Sequence, residues 1–155
     1  MTAEEYGVFL GRAVAEYAED KARAGAWRAE EALERSRAEF EQLLPDGLAT
    51  PGQLLFTAYD GDDAVGLLWL SLPAEARPAA WVFDVWVEPA ARDRGYGRAI
   101  MLAGERELVK HGVGELALNV FGDNARARHL YESLGYRVTA QQMSKSLSGD
   151  SGEQL

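Results

Sequence analysis

Ala80-Trp81-Val82-Phe83-Asp84-Val85-Trp86-Val87-Glu88-Pro89-Ala90-Ala91-Arg92-Asp93-Arg94-Gly95-Tyr96-Gly97-Arg98 is the stretch on which the fold turns. Residues 80–88 are rich in Val and aromatics and read as a strand. A helix is expected over Gly97–His111, stopped by Lys110, His111 and Gly112. The order is strand, glycine turn, helix start, and that order makes an anion site. The first helical N–H groups lack intrahelical partners, and the helix dipole is positive there. Gly95 and Gly97 carry no Cβ, so a phosphate can approach the backbone closely. Arg92, Arg94 and Arg98 outnumber Asp93 in the same turn. Two other glycine-loop chemistries do not fit. A phosphate-binding P-loop ends in Gly-Lys-Ser/Thr, which is absent, and a dinucleotide fingerprint needs Gly or Ala where Ile100 stands. The bland alternative is an ordinary strand-to-helix turn with surface arginines.

Upstream, Asp60-Gly61-Asp62-Asp63 separates two β-like runs, Gln53–Tyr59 and Ala64–Leu72, which is a hairpin signal. The segments Pro45–Gly52 and Pro73–Pro78 read as loops. Residues 2–24 space Tyr6, Phe9, Leu10, Ala13, Val14 and Tyr17 as one helical stripe, and Thr2 with Glu5 forms a capping-box pattern. A second helix is expected over Ala29–Leu44, with Leu33, Phe40, Leu43 and Leu44 facing inward. Downstream, Glu115–Phe121 reads as a strand, parallel to 80–88 through a helical crossover. A helix follows, capped by Asp123 and running to Leu134. Short strands at Tyr136–Thr139 and Gln141–Leu147 come next, and then a polar tail, 148–155, expected to be disordered.

The chain has 155 residues, room for one domain, expected over 1–147. With 25 acidic against 16 basic residues its net charge is −9, which argues against a nucleic-acid partner. The same balance would draw cationic substrates to the surface, or serve simply for solubility. There is no cysteine, hence no thiol nucleophile and no thiolate metal site. No apolar run approaches the ~18 residues of a membrane span, and the first residues lack the basic and apolar regions of a signal peptide. The sequence is therefore expected to be soluble and cytoplasmic, with no metal. His111 suits a helix C-terminus and His129 a solvated helix face; neither is assigned a catalytic or metal role.

Two patterns together resemble the GNAT (Gcn5-related) N-acetyltransferase superfamily. Val85-Trp86-Val87-Glu88-Pro89 with Arg92…Gly95-Tyr96-Gly97 is similar to that family's motif A, and Asn124 to Tyr136 (NARARHLYESLGY) is similar to its second half. The resemblance covers about residues 53–147. It implies an α/β fold with two N-terminal helices and a mixed, mostly antiparallel sheet of six or seven strands. The strands at about 80–88 and 115–121 would form a parallel, splayed pair. Such proteins commonly open with a strand, whereas Thr2 starts a helix at once; an uncovered sheet edge would then invite a homodimer.

The resemblance also implies roles. Acetyl-CoA would be the acyl donor. Its pantetheine arm would pair with Val85, Trp86 and Val87, and its pyrophosphate would sit on Arg92, Asp93, Arg94, Gly95, Tyr96, Gly97 and Arg98. Asn124 would bond the pantetheine side, and Tyr131 would protonate the leaving sulfur. A backbone N–H near Trp86–Val87 would stabilise the oxyanion. For the base, Asp84 and Glu88 share a strand face with Trp86. Some family members carry Glu where Asn119 stands, so water relayed through Asp84 or Asn119 is expected. The acceptor is expected to be the primary amine of a small molecule, with a peptide or protein amine as the alternative. A rival class is a non-catalytic acyl-CoA sensor, whose signature would be loss of Tyr131 or of the glycine turn. Trp27, Trp69, Trp81 and Trp86 would line an acceptor pocket or belong to the core.

Overall fold

A computed structural model describes residues 1–145 and 147. The chain divides into two units, Met1–Phe121 and Gly122 onward. The expected tail, 148–155, and Ser146 lie outside the described residues.

In the first unit, helix α1 (Ala3–Arg23) starts on the expected capping box. Thr2 Oγ1 accepts from the Glu5 amide at 3.2 Å, and Glu5 Oε2 accepts from the Thr2 amide at 2.6 Å. Helix α2 (Ala29–Leu43) follows. Its inward stripe is Ala32, Ser36 and Phe40, whereas Leu33, expected inside, is 44 % exposed. Small side chains let α1 and α2 approach closely, and the buried Ser36 hydroxyl donates to the Val14 carbonyl at 2.7 Å.

The four described strands pair in the order β1-β2-β3-β4: Gln53–Asp60, Asp63–Ser71, Ala80–Val87 and Leu116–Leu118. The first three are antiparallel, and β4 runs parallel to β3. Gly61, with φ 61°, makes the β1–β2 turn. The mixed, mostly antiparallel sheet with a parallel 80–88/115–121 pair is as expected. Its extent is smaller, with four strands among the described residues rather than six or seven. β4 spans three residues, and no strand forms over Tyr136–Thr139 or the described part of Gln141–Leu147.

β2 is buried continuously from Val65 to Ser71 because helices cover both its faces. Leu67 and Trp69 pack with Phe9, Phe40 and Leu55 in the core beneath α1 and α2. Phe9 meets Trp69 edge-on at 5.9 Å, and Phe83 stacks on Trp69 at 4.5 Å. Truncating a core tryptophan such as Trp69 costs about 3–5 kcal/mol. The opposite face lies under α3 (Tyr96–Lys110), where Leu68 and Leu70 come up against Gly104. A Cβ on Gly104 would stand 2.4 Å from Leu68 Cδ2, and one on Gly66 would stand 2.4 Å from the Trp86 carbonyl oxygen. Glycine at these positions lets α3 and β3 close onto β2.

The second unit contains α4 (Ala125–Ser133). Its cap is Asn124 rather than Asp123: Asn124 Oδ1 accepts from the Ala127 amide at 3.0 Å. Gly135, at φ 94°, ends it, and the Tyr136 amide returns to the Tyr131 carbonyl at 3.0 Å. No helix among the described residues is long and apolar enough to cross a membrane.

Candidate active site

The site grows from an irregularity in β3. Leu70 pairs with Val82, but Trp69 pairs with Asp84, so Phe83 is one residue more than β2 can match. This β-bulge puts consecutive side chains on one face of the sheet. Phe83 stacks on Trp69 beneath α1 and α2, and Asp84 meets Arg12 of α1. Past the bulge the alternation resumes, with Trp86 on the same face beneath Arg12.

Parallel pairing of β3 with β4 is confined to Ala80↔Leu116, Trp81↔Ala117 and Val82↔Leu118. From Phe83 to Val87, β3 has no strand partner on that side among the described residues. The Trp86 carbonyl faces Gly66 of β2, and the Glu88 amide donates to Val65 at 2.9 Å. By alternation, Val85 and Val87 turn their amides and carbonyls away from β2, toward the splayed side. Val87 shows this directly, because its carbonyl accepts from Arg92 Nε at 3.1 Å. Of the three residues expected to pair with a pantetheine arm, Val85 and Val87 thus aim backbone groups into the gap, and Trp86 directs its backbone to β2.

The strand then enters the glycine turn. Arg92 is extended, Asp93 takes the left-handed region at φ 62°, and Gly95 follows at φ 83° as the N-cap of α3. Positive φ at a non-glycine residue is uncommon and is often stored at ligand clamps. No side chain caps α3. Its first intrahelical bond is from the Ala99 amide to the Gly95 carbonyl at 3.1 Å, so the Tyr96 and Gly97 amides precede the helical ladder. Residues 92–95 are exposed. Arg94 lies over the Tyr96 ring at 5.3 Å, and the Tyr96 hydroxyl donates to Asp60, which anchors the start of α3 to the β1–β2 hairpin. The turn is therefore exposed, cationic and lined by helix-start amides, the chemistry that suits an anion cradle.

Asp84 is the ionisable side chain at the bulge. Arg12 Nη2 donates to its Oδ2 at 2.8 Å, and Arg12 also pairs with Glu16. The Arg12 guanidinium carbon lies 4.4 Å from the centre of the Trp86 ring. Burial pushes the Asp84 carboxyl above the ordinary aspartate range; Arg12 opposes this, and Glu16 reinforces it. The residues missed in sequence are Arg12 and Glu16. The available signal was Arg12 at the helical i+3 position from Phe9, a charge on the apolar edge of α1. Glu88 is committed through its amide to β2, and Asn119 is exposed just past β4.

In the second unit, Tyr131 is buried, and its ring meets Tyr136 edge-on at 5.8 Å. His129 is exposed, and His111 ends α3 with Nδ1 3.0 Å from the Glu107 carbonyl. Trp69 is core, Trp27 packs edge-on to Tyr17 at 5.5 Å, and Trp81 and Trp86 are half-buried on β3. Among the described residues no three His, Cys, Asp or Glu gather to hold a metal ion.

The family model for the acetyltransferase (GNAT) family matches residues 21–136. The chain is 35 % identical to the uncharacterized N-acetyltransferase YycN of Bacillus subtilis, over 95 % of this chain and 96 % of that protein. The crystal structure of YycN superposes with a TM-score of 0.90 at 34 % identity, covering 96 % of each chain. A mycothiol acetyltransferase of Rhodococcus erythropolis is 35 % identical over 65 % of this chain but only 36 % of its own length. The structure of AAC(6')-Iy, solved with the bisubstrate analogue CoA-S-monomethyl-acetylneamine, shares the fold at a TM-score of 0.56 and 19 % identity, over 73 % of this chain and 78 % of that one.

Proposed function

The chain belongs to the acetyltransferase (GNAT) family, and from that premise we propose that it moves an acetyl group from acetyl-CoA to the primary amine of a small molecule. One observation carries the reading. β3 loses its β4 partner after Val82 and runs, with outward-facing backbone, straight into an anion cradle at the start of α3. A donor with an amide-bearing arm and a pyrophosphate matches both parts in order.

In this reading Val85 and Val87 bond the arm, and the amides and arginines of residues 92–98 hold the pyrophosphate. Asn124 adds a bond through its amide nitrogen. Acetyl-CoA supplies an activated thioester. Asp84, with its raised affinity for a proton, accepts the proton the attacking ammonium must shed, directly or through water. A backbone N–H of Val85 or Val87 faces the developing oxyanion. Tyr131 gives its phenolic proton to the departing sulfur, a role that comes from the likeness of Asn124–Tyr136 to the family's second half. The mycothiol acetyltransferase likeness supports a small-molecule acceptor. The net charge of −9 suits one that arrives as a cation.

The test is release of free coenzyme A thiol from acetyl-CoA with a panel of small primary amines. Turnover with at least one amine, lost in Asp84→Asn, is expected. Tight acetyl-CoA binding with no turnover of any amine would overturn the reading in favour of a binding domain. Turnover of peptide amines alone would overturn the small-molecule part.

A further inference from the structure

Resting on the acetyl transfer to an amine at Asp84 proposed above, we infer that Arg77 binds a carboxylate of the acceptor, so that the substrate is a primary amine bearing a carboxylate a few bonds away. Arg77 lies in the connection between β2 and β3. Its backbone is fixed by reciprocal bonds with Ala74, each 2.9 Å. Its guanidinium carbon sits 5.2 Å from the Phe83 ring and 5.6 Å from the Trp81 ring, over the half-buried aromatic stretch that opens the splayed part of β3. Nη2 donates to Ser71 Oγ at 2.7 Å, and the Ser71 hydroxyl in turn donates to the Leu72 carbonyl. Arg77 is thus held in one place before anything binds.

What it lacks is a counter-charge. No carboxylate pairs with Arg77 among the described residues, in a chain where acids outnumber bases 25 to 16. Its Nε is the one buried side-chain nitrogen or oxygen left without a hydrogen-bond partner among those residues. A buried donor without an acceptor is costly, and a guanidinium fork is shaped to receive a carboxylate through two parallel bonds.

The other arginine on this face is already satisfied. Arg12 is shared by Asp84 and Glu16, which leaves that cluster one negative charge in excess. The bulge puts the two poles on one face of the sheet: Phe83 lies under Arg77, and Asp84, the next residue, faces the same way. An ammonium directed to Asp84 and a carboxylate directed to Arg77 would belong to a short amino acid. A plain amine would leave Arg77 as it is.

The experiment pairs substrates that differ only in the carboxylate: glycine with methylamine, β-alanine with ethylamine, and 4-aminobutyrate with propylamine. Coenzyme A release would be measured for the wild type, Arg77→Met and Arg77→Lys. In the wild type one amino acid should exceed its amine at least tenfold in kcat/KM. Arg77→Met should erase that margin through the KM of the amino acid, and Arg77→Lys should keep part of it. No margin in the wild type, or a margin that survives in Arg77→Met, overturns the inference and leaves acetyl transfer to amines standing. If no amine turns over, the proposed function fails. The Arg77 inference is then read from thermal-shift titrations with propionate and β-alanine: protection of the wild type but not of Arg77→Met supports it, and no protection overturns it. Arg77→Lys keeps the charge, so it also guards against a folding defect in the neutral variant.

Discussion

Replacing Gly66 by alanine tests whether the packing of β2 against β3 sets the cofactor edge. An added Cβ would lie 2.4 Å from the Trp86 carbonyl oxygen, 2.8 Å from Ile100 Cδ1 and 3.3 Å from Val87 Cα. The nearest atom is backbone, so no rotamer change relieves the clash. Carbon–oxygen contacts settle near 3.3 Å, so β3 must retreat by about 0.9 Å at Trp86–Val87. Overpacking of this kind costs about 1–3 kcal/mol. For a domain of this size that lowers the melting temperature by about 2–12 °C. Gly104→Ala is the control. Its Cβ meets the buried Leu68 Cδ2 at 2.4 Å and Leu70 Cδ1 at 3.3 Å rather than the backbone of β3, so it too should melt lower, offset in part by about 1 kcal/mol of helix propensity, while its acetyl-CoA binding stays close to wild type. Calorimetric melts and acetyl-CoA titrations are the assays. Gly66→Ala should melt lower and bind acetyl-CoA about tenfold more weakly, near 1.4 kcal/mol. A Gly66→Ala protein that melts like the wild type refutes the packing argument. One that melts lower but binds acetyl-CoA unchanged refutes the assignment of that edge to the cofactor.

Tyr131→Phe should lower kcat by about 10²–10⁴, the usual worth of a positioned proton donor, with acetyl-CoA affinity unchanged by calorimetry. Arg12→Met removes the cation that opposes burial of Asp84, so the acid limb of the kcat/KM profile should move to higher pH, and Arg12→Lys should bring it back; a limb that stays put disconnects Asp84 from the reaction. Glu5 is held at a pKa of about 2, chiefly by the Tyr59 hydroxyl and then by the Thr2 amide. Its folded pKa is depressed, so its stabilising effect is present above about pH 4.5 and fades as pH falls toward 2. Melts of Glu5→Gln should therefore fall below wild type at pH 7 and converge with it near pH 2.

The strand–turn–helix at 80–110 was legible because each step has a local cause: β-branched and aromatic residues, then the glycine pair Gly95 and Gly97, of which Gly95 takes positive φ, then a helical stripe. The capping box at Thr2 was legible for the same reason. The bulge at Phe83 was not, since it exists only in the pairing of β3 with β2 and no residue of β3 announces it. Arg12 and Asp84 are 72 positions apart, and only packing of α1 on the sheet joins them. Leu33 was read inward from hydrophobicity alone, whereas close approach of α1 and α2 selects the smaller Ala32 and Ser36. Asn124 and Asp123 are both good capping residues, and the choice between them lies in backbone angles. Glu115–Phe121 reads as one strand from its alternating Leu, Leu and Val, yet pairing stops at Leu118, opposite Val82, where the bulge at Phe83 begins.

The cationic turn has a further consequence when ionic strength varies. A polyanionic donor approaching a chain of charge −9 meets net repulsion at a distance and attraction only at the Arg92–Arg98 cradle. In about 10 mM salt the screening length is ~30 Å, and the whole surface is felt. Near 0.1 M it is ~10 Å, which silences distant carboxylates but spares groups touching the phosphates. At 1 M it is ~3 Å, and the cradle itself is blunted. The association rate of acetyl-CoA should accordingly rise and then fall with added salt, peaking where the molecule's own charge has been hidden and the turn's has not.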